Sequence, residues 1–199
     1  MKPLGPIPAG YDAIGGVLSV GGRPVTDWAE QAGDTPLFLY SADLIRQRAA
    51  QLRAAMPARL ALHYAVKANP FTPLLSLMNG LVDGFDIASG GELEILRGAG
   101  IDLAKVSFAG PGKRDRELEA AIAAGVTLNL ESEAEARRAF AIGERLGRTP
   151  RLAIRVNPDF DLKGSGMKMG GGAKPFGIDA ARVPALVREV AASGACLLY

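Results

Sequence analysis

The chain has 199 residues, 48% hydrophobic and 22% charged. That balance excludes a disordered tail, a collagen-like chain and a disulfide scaffold. The 23 basic residues only just outnumber the 21 acidic ones, which gives no case for nucleic acid or anionic lipid as a partner.

Met1-Lys2-Pro3-Leu4-Gly5-Pro6 lacks the apolar core of a secretory signal, so a cytoplasmic protein is expected. Asp12–Val20 and Arg23–Val25 are predicted to pair as a β-hairpin around Gly21-Gly22, and Thr26–Ala32 to form a short helix. Residues 1–35 lack the strand–helix pitch of the rest of the chain and read as a β lead-in, separate from a domain over 36–199. Pro36–Tyr40 reads as a short strand. Ser41 then caps a helix through Leu44, Ile45 and Leu52.

From there apolar runs alternate with helical patterns. The runs are Leu60–Val66, Leu81–Ile87, Lys105–Ala109, Val126–Leu130 and Leu152–Val156. Thr72-Pro73 opens one helix with proline in its first turn. Ser89-Gly90-Gly91-Glu92 and Ser132-Glu133-Ala134-Glu135 are capping-box patterns at the start of two more. Asp179 is predicted to cap a last helix through Val183, Leu186, Val187 and Val190. The strand starts lie about 21 to 26 residues apart, the pitch of consecutive βα units in a parallel sheet. The even pitch favours an α/β (β/α)8 TIM-type barrel over a doubly wound sheet. Neither a G-x-G-x-x-G nor a P-loop pattern is present.

A sixth strand is predicted to begin at Ala195–Tyr199. Cys196, the one cysteine, cannot form an internal disulfide. With His63 as the one histidine, no metal site is expected. No run of 18 apolar residues offers a membrane span. A full barrel takes ~250 residues, so the expectation is a barrel truncated after five or six strands, in a fragment of a longer protein.

Chemistry in such a barrel sits at the C-terminal ends of the strands. The polar residues there are Lys67, Asp86, Ser107, Asn129, Glu131, Arg155 and Asn157. Alternation puts His63, Ala65 and Lys67 on one face. A lysine on the inner face would be desolvated, with a neutral amine able to form an imine; equally, Lys67 is a surface lysine just past a strand end. Asp86 either pairs with that amine or is a turn residue before the Ser89 cap. Arg155, inside an apolar strand, needs an anionic partner, supplied by a pocket ligand or by a structural ion pair. His63 reads as a packed core residue. The loop from Phe160 to Phe176, with Gly170-Gly171-Gly172 and Lys163, Lys168 and Lys174, reads as a mobile active-site loop rather than a phosphate cradle.

At these residues the sequence resembles a known family. Tyr64-Ala65-Val66-Lys67-Ala68-Asn69-Pro70 resembles the lysine motif of the fold-type III pyridoxal-phosphate decarboxylases, the ornithine, arginine and diaminopimelate decarboxylases with an alanine racemase-like barrel. Gly84-Phe85-Asp86-Ile87-Ala88-Ser89-Gly90-Gly91-Glu92 matches the second motif. Phe108–Lys113, Asn129–Ser132 and Arg155–Pro158 come next, in family order. Asp159–Gly172, ending in Lys174–Asp179, looks like the decarboxylases associated with exosortase A systems.

The resemblance implies a lyase that decarboxylates an amino acid, diaminopimelate-like or related. It implies pyridoxal 5'-phosphate held by Lys67 as a Schiff base, with Ala65 packed beside the cofactor. Asp86 would lie near the Schiff base and Arg155 near the phenolic oxygen. It also implies a homodimer, with a C-terminal β-domain that packs on the 1–35 lead-in and lends residues across the interface. The family's cofactor-stacking histidine, phosphate loop and that β-domain are not in this stretch, so the 199 residues alone are expected to be inactive and poorly folded. Ala195–Tyr199 departs from the family pattern. A racemase on the same barrel and a non-enzymatic cofactor-binding protein are the alternatives.

Overall fold

The computed structural model describes residues 5–160 and 176–198. The chain forms two compact units, Met1–Leu60 and Ala61–Tyr199.

In the first unit, β1 (Asp12–Ile14), β2 (Val17–Val20) and β3 (Arg23–Pro24) form an antiparallel meander. The expected turn at Gly21-Gly22 joins β2 to β3. A second glycine pair, Gly15-Gly16, splits 12–20 into two strands. All four glycines take positive φ, as tight two-residue hairpin turns require. Helix α1 (Val25–Ala32) is tied to this sheet by Trp28, whose Nε1 donates to the Val20 carbonyl at 3.0 Å; the Arg23 guanidinium lies 4.5 Å from the ring centre. Residues 36–40 are irregular rather than a strand. An extended segment becomes a strand only where a neighbour takes up its backbone groups, and no described strand pairs with this one. Helix α2 (Ala42–Ala55) starts where expected, with the Leu44 N–H donating to Ser41 Oγ at 3.4 Å.

The second unit runs β4 (His63–Ala65), α3 (Thr72–Asn79), β5 (Gly84–Ile87), α4 (Gly90–Gly98), β6 (Val106–Phe108), α5 (Asp115–Ala123), β7 (Thr127–Leu130), α6 (Glu133–Leu146) and β8 (Arg151–Ile154). A parallel pair, β9 (Val156–Asn157) and β10 (Ile178–Asp179), precedes α7 (Val183–Ala192) and β11 (Cys196–Leu197). The main sheet has the order β4-β5-β6-β7-β8-β11, all parallel, so each strand pairs with its successor in the unit apart from the small β9-β10 bridge. That is barrel order; a doubly wound sheet would reverse partway. Both predicted serine caps form, Ser89 Oγ accepting from the Glu92 N–H and Ser132 Oγ from the Glu135 N–H, each at 3.2 Å. Asp179 does not cap α7. A 3-10 turn, Ala180–Arg182, stands between them, and the Asp179 carboxylate instead accepts from Asn157 Nδ2 at 3.4 Å. Among the described residues no helix is long and apolar enough to cross a membrane.

The two faces of the sheet differ as the period of two dictates. One face carries Phe85, Ile87, Val106, Phe108, Leu128, Leu130 and Leu152, all buried. Together with Leu75, Leu93, Leu96, Leu118, Ile122, Ala139, Leu186 and Val190 from the helices they make the core. Each large side chain buried there stabilises the fold by about 1.5–3 kcal/mol. The other face carries His63, Ala65, Asp86, Ser107, Thr127 and Asn129.

Two positions test this packing. A Cβ on Gly143, inside α6, would lie 2.6 Å from Pro150 Cγ and 2.9 Å from the Arg148 carbonyl. Helix propensity alone favours alanine by ~1 kcal/mol, but overpacking costs roughly 1–3 kcal/mol. Gly143→Ala is therefore expected to lower the melting temperature. The Glu117 carboxylate accepts from the Arg114 N–H at 2.9 Å and the Gly90 N–H at 2.8 Å, linking the starts of α5 and α4. These bonds, Arg114's first, hold its carboxyl below the ordinary 4.5. A lowered carboxyl stabilises the fold above its unfolded pKa and loses that contribution as pH falls through the folded value. In urea titrations the stability gap between the wild type and Glu117→Gln is expected to be full at neutral pH and to close as pH drops below about 4.5.

Candidate functional site

A pocket of about 550 Å³ opens on the polar face at the C-terminal ends of the strands. His63, Ala65, Lys67, Asp86, Ser107, Asn129 and Arg155 are among the residues that line it. Register explains the convergence. Ala65 sits opposite Asp86, Asp86 opposite Ser107, and Ser107 opposite Thr127, so one row crosses four strands. Two residues further along the chain in each case, Lys67, Ala88, Ala109 and Asn129 also line the pocket. All four residues singled out as a site, Ala65, Lys67, Asp86 and Arg155, reach this one pocket.

Lys67 lies in a 3-10 turn, Val66–Ala68, that ends β4, and is exposed rather than desolvated on an inner strand face. β4 is an edge strand of the described sheet, and no described strand covers that side. His63 is not a core residue: its side chain is 32% exposed, and its Nδ1 lies 3.3 Å from Asp86 Oδ1. A Cβ on Gly84, beside it, would lie 2.7 Å from the imidazole, so glycine leaves the ring its place. Asn129 Nδ2 donates to Ser107 Oγ at 2.6 Å. Asn157 is buried and bonded to Asp179, away from the pocket lining. Of the 160–176 loop, 161–175 lies outside the described residues, including its glycines and lysines.

Arg155 takes the structural partner that its sequence context required. Its guanidinium meets Glu131 at 2.9 Å, the carboxylate side chain being 1% exposed. Glu131 also accepts N–H donors from Gly110 at 2.8 Å and Gly177 at 2.7 Å. Next to it is a network that sequence reasoning missed. Lys113 Nζ is buried against Glu135 at 2.6 Å and donates to the Gly110 and Asn129 carbonyls, both at 2.8 Å. Glu135 in turn accepts from the Glu131 N–H at 3.0 Å. The signal was present: Glu135 ends the Ser132 capping-box pattern and Lys113 ends the Phe108–Lys113 motif, yet a charge on a helix pattern reads first as solvated.

An amine, an imidazole–carboxylate pair and a guanidinium thus converge on one space, which small side chains also line. That donor set fits an aldehyde-bearing aromatic cofactor: the amine can bond the aldehyde carbon, the guanidinium can face an oxyanion, and Ala65, Ala88 and Ala109 leave room for a flat ring.

Comparison with known proteins agrees. The pyridoxal binding domain of the pyridoxal-dependent decarboxylases matches residues 42–195. The chain belongs to this family, whose cofactor is pyridoxal 5'-phosphate. It is 40% identical over 149 residues to a diaminopimelate decarboxylase of Aquifex aeolicus, covering 74% of this chain and 35% of that protein. It is 34% identical to an L-glutamyl-[BtrI acyl-carrier protein] decarboxylase of Niallia circulans, covering 79% of this chain and 37% of that protein. Among solved structures, diaminopimelate decarboxylase of Helicobacter pylori in complex with L-lysine superposes with a TM-score of 0.78 at 32% identity, over 86% of this chain and 44% of that one. The chain spans about a third of the length of the curated relatives it matches.

The buried Lys113–Glu135 pair generates a prediction. Removing one member of a buried pair costs about 3–5 kcal/mol, because the other charge stays buried and uncompensated. Lys113→Met is expected to destabilise the protein by that order in denaturant unfolding. Lys113→Met combined with Glu135→Gln is expected to recover part of the loss.

Proposed function

We propose, from membership of the pyridoxal-dependent decarboxylase family, that the protein containing this chain is a carboxy-lyase that removes carbon dioxide from an amino acid. The observation that carries this reading is the convergence of Lys67, just after β4, Asp86, on β5, and Arg155, just after β8, on one pocket. When bound, the cofactor supplies an electron sink for the carbanion left by decarboxylation.

This chain's residues set the stage for that chemistry. Lys67 would hold the cofactor, its amine reaching the pocket. Asp86, which lines the same pocket, would place a carboxylate near that amine, with His63 Nδ1 3.3 Å from its Oδ1. Arg155 would supply positive charge to an oxyanion of the cofactor, and the small Ala65 side chain would leave room for its ring. Electrostatic placement of this kind costs no rearrangement when charge develops.

The substrate is proposed to be diaminopimelate or a related amino acid, from the similarity to diaminopimelate decarboxylases. The 159–179 sequence supports a place among the exosortase-associated members. The whole protein is read as a cytoplasmic homodimer, with the 1–35 lead-in and the 36–199 barrel segment completed by a C-terminal β-domain. An apolar groove in the first unit, lined by Tyr11, Leu18, Val25, Leu37 and Leu39, supports a packing role for that lead-in.

The test uses the full-length protein and its Lys67→Ala variant with pyridoxal phosphate. The wild type is expected to show a visible absorbance band, to be labelled at Lys67 on borohydride reduction, and to release carbon dioxide from diaminopimelate. Lys67→Ala is expected to lose the label and at least ~100-fold in rate. A band that persists unchanged in Lys67→Ala would refute the assignment, and inversion of a single enantiomer without carbon dioxide would identify a racemase.

A further inference from the structure

We propose that Glu131 is a positioning residue that aims Arg155 into the cofactor pocket, with Phe176 as its second support. The inference rests on the reading of that pocket as the cofactor site.

An ionised carboxylate with 1% of its side chain exposed is stable only with its oxygens engaged. Glu131 Oε1 accepts from Arg155 and from the Gly110 N–H, and Oε2 from the Gly177 N–H. Two of these three donors are backbone groups, one just after β6 and one just before β10. They hold the carboxylate in place independently of the arginine. Its own backbone N–H is held by Glu135, itself locked to Lys113. The carboxylate is therefore the fixed member of the pair and the guanidinium the member that is aimed.

Arg155 is placed differently. Its side chain is 29% exposed and lines the pocket. A guanidinium is flat, with five donors in its plane. One edge is taken by Glu131. One face lies against the Phe176 ring, 5.1 Å from the ring centre, a cation–π distance. Both supports depend on the same short turn. Gly177 has φ +78°, and a Cβ there would lie 2.9 Å from the Arg155 carbonyl and 3.1 Å from the Asn157 nitrogen. Glycine lets the turn pass this close to β9, which brings the Phe176 ring and the Gly177 N–H to the arginine and the glutamate together.

Glu131 also sets the charge that Arg155 presents. Paired, the guanidinium is largely neutralised at one edge; without Glu131 its full charge would act on whatever oxyanion the pocket holds. A purely structural carboxylate would matter equally with or without Arg155. A positioning carboxylate matters only through it.

The experiment is a double-mutant cycle in the full-length protein, read by pyridoxal phosphate titration of the cofactor-depleted enzyme and by the pH dependence of the visible band. Partners that orient a metal ligand cost about 10–100-fold on removal, and the lower end of that order is expected here. Glu131→Gln is expected to weaken pyridoxal phosphate binding roughly tenfold and to shift the pH at which the band changes. Phe176→Leu is expected to act in the same direction but less. Glu131→Gln added to Arg155→Met is expected to cause no further loss. Wild-type behaviour of Glu131→Gln, or losses that add in the double variant, would overturn the proposal. Should Glu131→Gln fail to fold, the Phe176→Leu and Arg155→Met cycle decides by the same criterion. A wild type that takes up no pyridoxal phosphate would overturn the functional reading itself. A wild type that loads while both support variants behave like it overturns this inference alone.

Discussion

Glu131 is shielded from water, and three donors from three separate stretches of chain meet on its two oxygens. Leaving any one of them unmade would strand a charge or an N–H in a low-dielectric place, at a cost larger than the bond itself contributes. The loop after β6, the end of β8 and the turn before β10 are therefore held together at the top of the sheet. Lys113 and Glu135 extend the arrangement by tying the same loop to α6. Beside the pocket the fold therefore buries paired charges where most of it is apolar.

The sheet itself divides its labour by face. The helix side is filled with Phe85, Phe108, Leu128, Leu130 and Leu152, which leave almost no surface to water. The opposite side carries alanines and short polar groups, and there the volume that larger side chains would fill is left as a pocket. Parallel pairing in register lines up the strand ends, so an amine just past one strand, a carboxylate on the next and an amide two strands on face the same space. Stability and function use alternate residues of the same strands.

Much of this was legible in the sequence. The pitch of the apolar runs specified consecutive βα units, because a parallel neighbour can be reached only through a crossover of that length. The serine caps and the Gly21-Gly22 turn were legible because local backbone chemistry dictates them. Pro36–Tyr40 misled, since an apolar stretch becomes a strand only when another strand pairs with it. Asp179 misled because a carboxylate near a helix start has competing partners, here Asn157. His63 read as a core residue because it lies deeper in its strand than Lys67; in the described sheet β4 lies at an edge and His63 lines the pocket beside Asp86.

By itself the sequence determined the alternation of main-sheet strands with helices and the ordered motifs that carry the family resemblance. These come from periodicity and short-range stereochemistry, which act within a few residues. Only the tertiary structure decided which charges meet. Arg155 finds Glu131 across 24 residues, Glu131 finds Gly177 across 46, and Lys113 finds Glu135 across 22. No local rule links such positions. Each pairing exists because the tertiary fold brings two residues distant in sequence within hydrogen-bond distance.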